Sequence, residues 1–261
     1  MANVQDLNGS SLPSVLTKTT WRLIPYLEAP GQQQMALDSW LLQDYVPRTQ
    51  QPVLRFYGWC PVAISLGYCQ HHYPEHWGNL RWQGQPLDLV RRPSGGRAVL
   101  HQGTLTYAIV LPHWGSRKRR DHYTYLCEFL RQAWGSLGVE LTYGSADHHY
   151  RHNASCFNTA TAADLVALDG SKLIGSAQRY TDQALLQHGA MLLEGDPLLF
   201  EQVFGQTAPW KKGLLQRTSI PSLATLLEIL ETTARHYFGV EIISQALTPE
   251  EWTAIQALVI A

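Results

Sequence analysis

The apolar residues Met35, Ala36, Leu37, Trp40, Leu41 and Tyr45 recur at helical spacing between residues 32 and 46, which predicts an amphipathic helix lying on a sheet and closed by Pro47. The period then shortens. Residues 53–57 and 62–68 read as two strands joined by a turn around Gly58 and Pro61, and 87–91 and 98–101 flank a glycine-containing turn. A strand over 104–111 precedes a helix over 122–137, stopped at Gly138. Two extended runs, 163–168 and 172–177, enclose Asp169-Gly170, a β-hairpin signal because glycine takes the positive φ of a tight turn without penalty. A strand over 184–193 follows. Beyond it, 198–204 and 222–237 read as helices, 240–244 as a short strand, and 249–259 as a last helix capped by Thr248.

Strands dominate the middle of this pattern and helices its ends, which predicts an α+β fold rather than a doubly wound parallel sheet. Residues 1–20, polar and rich in Ser and Thr, are expected to be a loose leader. One domain is expected over 21–261, its helical C-terminal part beginning near 197.

Composition narrows the function classes. The 261 residues are 45% hydrophobic and 16% charged, enough for one substantial core, and a net charge of −1 argues against general nucleic-acid binding. No apolar run approaches a membrane span, and the first residues lack a basic start followed by an apolar block, so a cytoplasmic protein with no membrane partner is expected. Cys60, Cys69, Cys127 and Cys156 show no metal or disulfide spacing and are expected as free thiols, with Cys60 and Cys69 packed at strand ends. His71, His72 and His76 read as a surface loop. His148, His152 and Cys156 stand four apart and would form a zinc face on a helix, but their polar surroundings read as a loop, and no metal is expected.

Two stretches carry candidate chemistry. Cys156 lies among small polar residues, sixteen positions before Lys172, just past the hairpin turn. Alone, the cysteine reads as a small hydrophobe and the lysine as solvated. Together they suggest acyl transfer, since a nearby ammonium favours the thiolate. In RRPSGGRAVLH, residues 91–101, adjacent glycines let the backbone approach a ligand, and Arg91, Arg92 or Arg97 would add charge, although a Ser-Gly-Gly turn needs no ligand to exist. The stretch matches neither a P-loop nor GxGxxG. His101 and His188 fall at predicted strand ends as structural histidines, and Gly189 after His188 permits close packing.

Taken in order, RRPSGGRAVLHQGTLTYAIVLP, NASCFNTATAADLVALDGSKLIGSAQRY and LLQHGAMLL resemble the biotin and lipoate protein ligase superfamily, most closely its cysteine-dependent octanoyltransferase branch. The resemblance implies a mixed, largely antiparallel sheet flanked by helices, with an acyl tunnel beside the glycine turn. It implies that Cys156 is the nucleophile forming a thioester and that Lys172 contacts the acyl carbonyl and assists proton transfer. It further implies that Arg92, Ser94, Gly95, Gly96, Arg97 and His101 line the pocket, with Gly175, Ser176 and Gln178 on the strand after the lysine and His188 and Gly189 closing the far side. The implied donor is octanoyl-acyl carrier protein. The implied acceptor is a lipoyl-domain protein, such as the H protein of the glycine cleavage system or a 2-oxoacid dehydrogenase E2, with no cofactor required.

Rival readings remain within the superfamily. An ATP-dependent lipoate or biotin ligase would use the same glycine turn and Lys172 but needs no nucleophilic cysteine, and many lipoate ligases, by resemblance, carry an accessory domain that the helices after Asp196 are expected to be too short to supply. An amidotransferase between carrier proteins would keep both residues. An inactive acyl- or carrier-binding protein would need neither.

The run RKRRD, residues 117–121, is either a solvated helix approach or a docking surface for an acidic carrier. If it docks one, reversing the charges of Arg117, Lys118, Arg119 and Arg120 slows transfer at low salt and little at high salt, because exposed attractions are screened over about 8 Å at physiological ionic strength. Initial rates measured against ionic strength check this.

Overall fold

A computed structural model describes residues 20–113, 119–144, 164–220 and 222–260. Strand β1 (Trp21–Ala29) leads into helix α1 (Gly31–Trp40), which begins where the Gly31 N–H donates to the Asp88 carboxylate at 2.8 Å. The helix does not close at Pro47. It passes through a π turn (Leu41–Tyr45) into a last helical turn (Val46–Thr49) and ends at Gln50, φ 56°. Proline lacks an N–H and its ring collides with the carbonyl one turn back, and a wider turn before it relieves both demands.

Strands β2 (Val53–Trp59) and β3 (Ala63–Leu66), joined by the expected turn, do not pair with each other. β2, buried along its whole length, enters the main sheet parallel to β1, with α1 as the crossover. β3 instead centres a smaller sheet. After the ribbon of β4 (Arg81–Trp82) and β5 (Gln85–Pro86), strands β6 (Asp88–Arg91) and β7 (Val99–Leu100) pair with its two sides, so the glycine turn between them spans β3. Cys60 and Cys69 follow β2 and β3 and are exposed rather than packed at strand ends, because the chain turns outward at both points.

The rest of the main sheet comes from β8 (Thr104–Pro112), β9 (Leu141–Tyr143), β10 (Leu165–Ala167), β11 (Lys172–Tyr180) and β12 (Ala184–Leu192). Helix α2 (Arg119–Ser136) separates β8 from β9; α3 (Pro197–Phe204) and α4 (Leu223–Phe238) lead to β13 (Ile242–Ser244) and α5 (Pro249–Ile260). The order is β13-β1-β2-β8-β12-β11-β10-β9, parallel at the first two junctions and antiparallel beyond them. This is the mixed, largely antiparallel α+β sheet expected.

Helices cover both faces. Tyr107, Ile109 and Leu111 of β8 meet the apolar sides of α2 and α4, while Ala108 and Val110 meet α1 and α5. The C-terminal part is woven in, since β13 extends the sheet and Arg22 of β1 makes a bidentate ion pair with Glu251 of α5 at 2.7 and 2.8 Å. Thr248 caps α5 as expected, accepting the Glu251 N–H while its own N–H donates back to that side chain. Residues 1–19 of the leader and Arg117 and Lys118 of the basic run lie outside the described residues. Among those described, no helix is long and apolar enough to cross a membrane, and no group of His, Cys, Asp and Glu could hold a metal ion. The residues His148, His149, His152 and Cys156 lie outside them.

Gly189 sits where β11, β12 and β8 press together: a Cβ there would lie 2.6 Å from the Gly175 carbonyl oxygen and 2.7 Å from Tyr107. Gly189→Ala is expected to cost about 1–3 kcal/mol, as overpacking does. Urea midpoints at constant slope measure it.

Candidate functional site

The hairpin forms as its turn residues require, with Gly170 at φ 84° and the Asp169 carboxylate accepting the Ser171 N–H at 3.0 Å. Arg217 pairs with Asp169 at 2.7 Å and holds its carboxyl down to about 2. The register slips by one between Leu165↔Ile174 and Val166↔Lys172, so β11 carries a bulge. Residues three apart on a strand ordinarily face opposite ways, but the bulge restores Lys172 to the face of Gly175. The lysine then lies flat over that glycine, where a Cβ would stand 2.9 Å from its Cε. Its Nζ is 2.9 Å from the Asp164 carboxylate, and both side chains are at least 96% buried.

The lysine and Asp164 border a cavity of about 320 Å³, within the range of small-molecule sites. Its floor is a row of side chains running across the strands. Gly175 of β11 opposes Ala190 of β12, Ala190 opposes Thr106 of β8, and Thr106 opposes Tyr57 of β2. The floor is therefore low beside the lysine and rises at Tyr57. Met35 of α1, Gly95 and Gly96 of the glycine turn, Val99, Tyr123 and Gln178 complete much of the wall.

Three sets of contacts fix the glycine turn. A Cβ on Gly67 would fall 1.8 Å from the Gly96 oxygen, so the glycine after β3 lets the turn close over it, with Gly96 at φ 101°. Arg92, 5% exposed, donates to the carbonyls of Ser65, Gly95 and Arg97 at 2.7–2.9 Å. Ser94 Oγ meets His188 Nε2 at 2.5 Å, His188 Nδ1 meets Asp38 at 2.7 Å, and Asp38 also binds Arg55 at 3.1 Å and the Tyr57 hydroxyl at 2.9 Å. Burial, helped by the Asp38 charge, pushes the Tyr57 hydroxyl well above its ordinary value, keeping it a donor.

Of the residues singled out in the sequence, Arg92, Gly95, Gly96, His101, Lys172, Gly175, Ser176, Gln178, His188 and Gly189 border this cavity. Ser94 and Arg97 are not among the residues that border it; the Ser94 hydroxyl meets His188, and the Arg97 carbonyl accepts from Arg92. The arginines brace backbone, Arg91 likewise donating to the Gly67, Tyr68 and Gln70 carbonyls. Ser176 Oγ bonds Tyr107 at 2.8 Å, and Gln178 donates to Gln187 at 2.7 Å. Cys156 lies outside the described residues. Burial pushes the Cys127 thiol up, the opposite of activation.

Sequence reasoning missed Asp38, Trp59, Tyr123 and Asp164. Only Asp38 left a signal, since Gln34 and Asp38 interrupt the helix face shared with Leu41 and Tyr45. Asp164 is brought to Lys172 by a bulge that no local pattern announces.

His101 lies at the other end of the cavity, its ring stacked on Trp59 at 3.9 Å and its Nε2 2.8 Å from Ser65 Oγ. Burial, reinforced by the Arg92 and His188 charges, pushes this imidazole well below its ordinary range. The unfolded chain takes up a proton near pH 6.5 where the folded chain does not, so the contribution is full above about pH 6.5 and falls with pH below it. His101→Gln should flatten the loss of stability between about pH 6.5 and 5. Denaturant titrations at both pH values compare the two proteins.

Comparison with known proteins agrees with this architecture. The family model for the lipoyl protein ligase A/B catalytic domain matches residues 30–237. The octanoyltransferase LipM of Bacillus subtilis is 30% identical over 229 residues, 83% of this chain and 81% of that protein. The octanoyltransferase LipM of Lysinibacillus sphaericus is 32% identical over 223 residues, 81% and 79% of the two chains. Among solved structures, lipoate-protein ligase A bound with ATP superposes with a TM-score of 0.75 at 19% identity over 93% of this chain and 95% of that one. The bi-partite lipoate protein ligase of Thermoplasma acidophilum gives 0.72 at 18% over 93% and 92%. These two likenesses speak to the fold. By sequence and by architecture, the chain belongs to the lipoyl protein ligase A/B catalytic-domain family.

Proposed function

We propose that this protein is an octanoyltransferase of protein lipoylation, moving an octanoyl group from acyl carrier protein through a Cys156 thioester to a lysine of a lipoyl-domain protein. The observation that carries the reading is Lys172: a lysine paired with Asp164 and almost wholly buried, at the low end of a narrow cavity floored by Gly175, Ala190 and Thr106. Burial of this kind is unusual for lysine and points to a task beyond solubility. The relatives named octanoyltransferase support the octanoyl group, and the lipoyl protein ligase family supports a protein acceptor.

The steps need no nucleotide. The Cys156 thiolate attacks the carbonyl of the carrier-bound octanoyl thioester; the bond from that carbonyl to the carrier sulfur breaks, and the carrier leaves as a thiol after taking a proton. The acceptor amine then attacks the new thioester and loses a proton, the carbon–sulfur bond to Cys156 breaks, and an amide forms. Lys172 serves as the group that polarises the carbonyl and relays the proton, and the backbone N–H groups of the glycine turn as donors to the oxyanion. Asp164 fixes where the ammonium stands. The three other cysteines are poorly suited to the first step, Cys60 and Cys69 being exposed after strand ends and Cys127 buried with a raised pKa.

Incubation with octanoyl-acyl carrier protein in the absence of ATP is expected to add one octanoyl mass to the protein, lost in Cys156→Ser. Lys172→Met is expected to slow adduct formation about 10²–10⁴-fold. Intact-protein mass spectrometry reads both. An acylated lipoyl domain appearing only with free acid and ATP, with no adduct on the enzyme, would establish a ligase instead.

A further inference from the structure

Beyond Trp59 and His101 lies a second cavity, of about 660 Å³, at the ends of β2, β8 and β12. Trp59 and His101 border both cavities. Their rings are stacked at 3.9 Å with 17° between planes, and each is anchored: Trp59 Nε1 donates to Thr106 Oγ1 at 2.8 Å, and His101 Nε2 meets Ser65 Oγ at 2.8 Å. The two rings are a party wall one side chain thick, held from the sheet floor on one side and from β3 on the other.

The row of floor residues gives the cavity a length. From β11 to β2 it crosses three strand spacings, roughly 14 Å at about 4.8 Å each. An extended eight-carbon acyl chain spans roughly 9 Å. With its carbonyl beside Lys172 above Gly175, such a chain passes over Ala190 and Thr106 and ends near the Trp59 indole. A chain four carbons longer would need the space the two rings occupy.

We propose that the stacked Trp59–His101 pair is the blind end of the acyl cavity and sets the upper limit of acyl length. The second cavity is the space the pair closes off. Val62, Trp82, Leu193 and Leu215 on its wall would accept an apolar tail, whereas Glu28 and Glu194 keep it hydrated in the native protein. The inference rests on the acyl-transfer reading and adds the residues that decide its substrate.

The test is a competition. The protein is mixed with equal octanoyl- and dodecanoyl-acyl carrier protein, and the two covalent adducts are counted by intact mass. The native protein should carry almost only the octanoyl mass. Trp59→Ala should raise the dodecanoyl-to-octanoyl ratio about tenfold or more, the scale at which a hydrophobic pocket discriminates chain length. His101→Ala, which removes the other ring and keeps the indole bond to Thr106, should raise it in the same direction and serves if Trp59→Ala does not fold. An octanoyl adduct on native protein combined with an unchanged ratio in folded Trp59→Ala or His101→Ala overturns the wall and leaves the transferase standing. No acyl adduct on the native protein at all overturns the transferase reading and this inference with it.

Discussion

The site depends on one buried carboxylate. Asp38 is fully enclosed beneath α1, where an ionised group without partners would be several kilocalories per mole too costly to keep. It is kept because three side chains from two strands converge on it: Arg55 and Tyr57 from β2 and His188 from β12. Arg55 in turn donates to Gln34, one helical turn before Asp38, and lies over the Tyr57 ring at 3.9 Å. Geometry is thereby imposed on the strands that carry the cavity floor. Through His188 the constraint reaches Ser94 and the glycine turn, which would otherwise be a loop free to choose among conformations. The order Ser94, His188, Asp38 has the connectivity of a hydrolytic triad. Here the hydroxyl is wholly buried and aimed into the protein, so the chain of bonds acts as a tether and not as a nucleophile.

What could be read from the sequence follows from how local each signal is. The hairpin holding Lys172 was legible because Asp169-Gly170 lies inside it, and the strands 104–112 and 184–192 because each announces itself by its own composition. The partners of those strands were not. Residues 53–59 and 63–66 are close in the chain and share no ladder, since β2 is captured by β1 and β8 while β3 is captured by the glycine-turn strands. A short loop makes a hairpin available, and burial on both faces of β2 decides against it. The cavity is still less local. Gly175, Ala190, Thr106 and Tyr57 come from four strands and meet only across the ladder, so no window along the chain contains the floor.

The pairing of lysine with the glycine three residues later shows how a motif can be a single physical object. In a regular strand Lys172 and Gly175 would point to opposite faces, and neither would explain the other. The bulge at Leu173 turns them to the same side, after which the lysine must cross the strand with its methylenes against the backbone. Any side chain at 175 would occupy the path of the Cε atom, 2.9 Å away. The glycine is thus a groove for the lysine as much as the lowest point of the cavity floor. Asp164, entering from the start of β10, closes the groove at its end and keeps the ammonium at the cavity edge rather than in solvent. A lysine placed on an ordinary hairpin would lose little entropy by staying extended into water; this one is held by a bulge, a missing Cβ and a carboxylate acting together. The cavity therefore begins at a charged group whose position is set by backbone geometry, which is what the proposed reaction on one particular carbonyl carbon would demand.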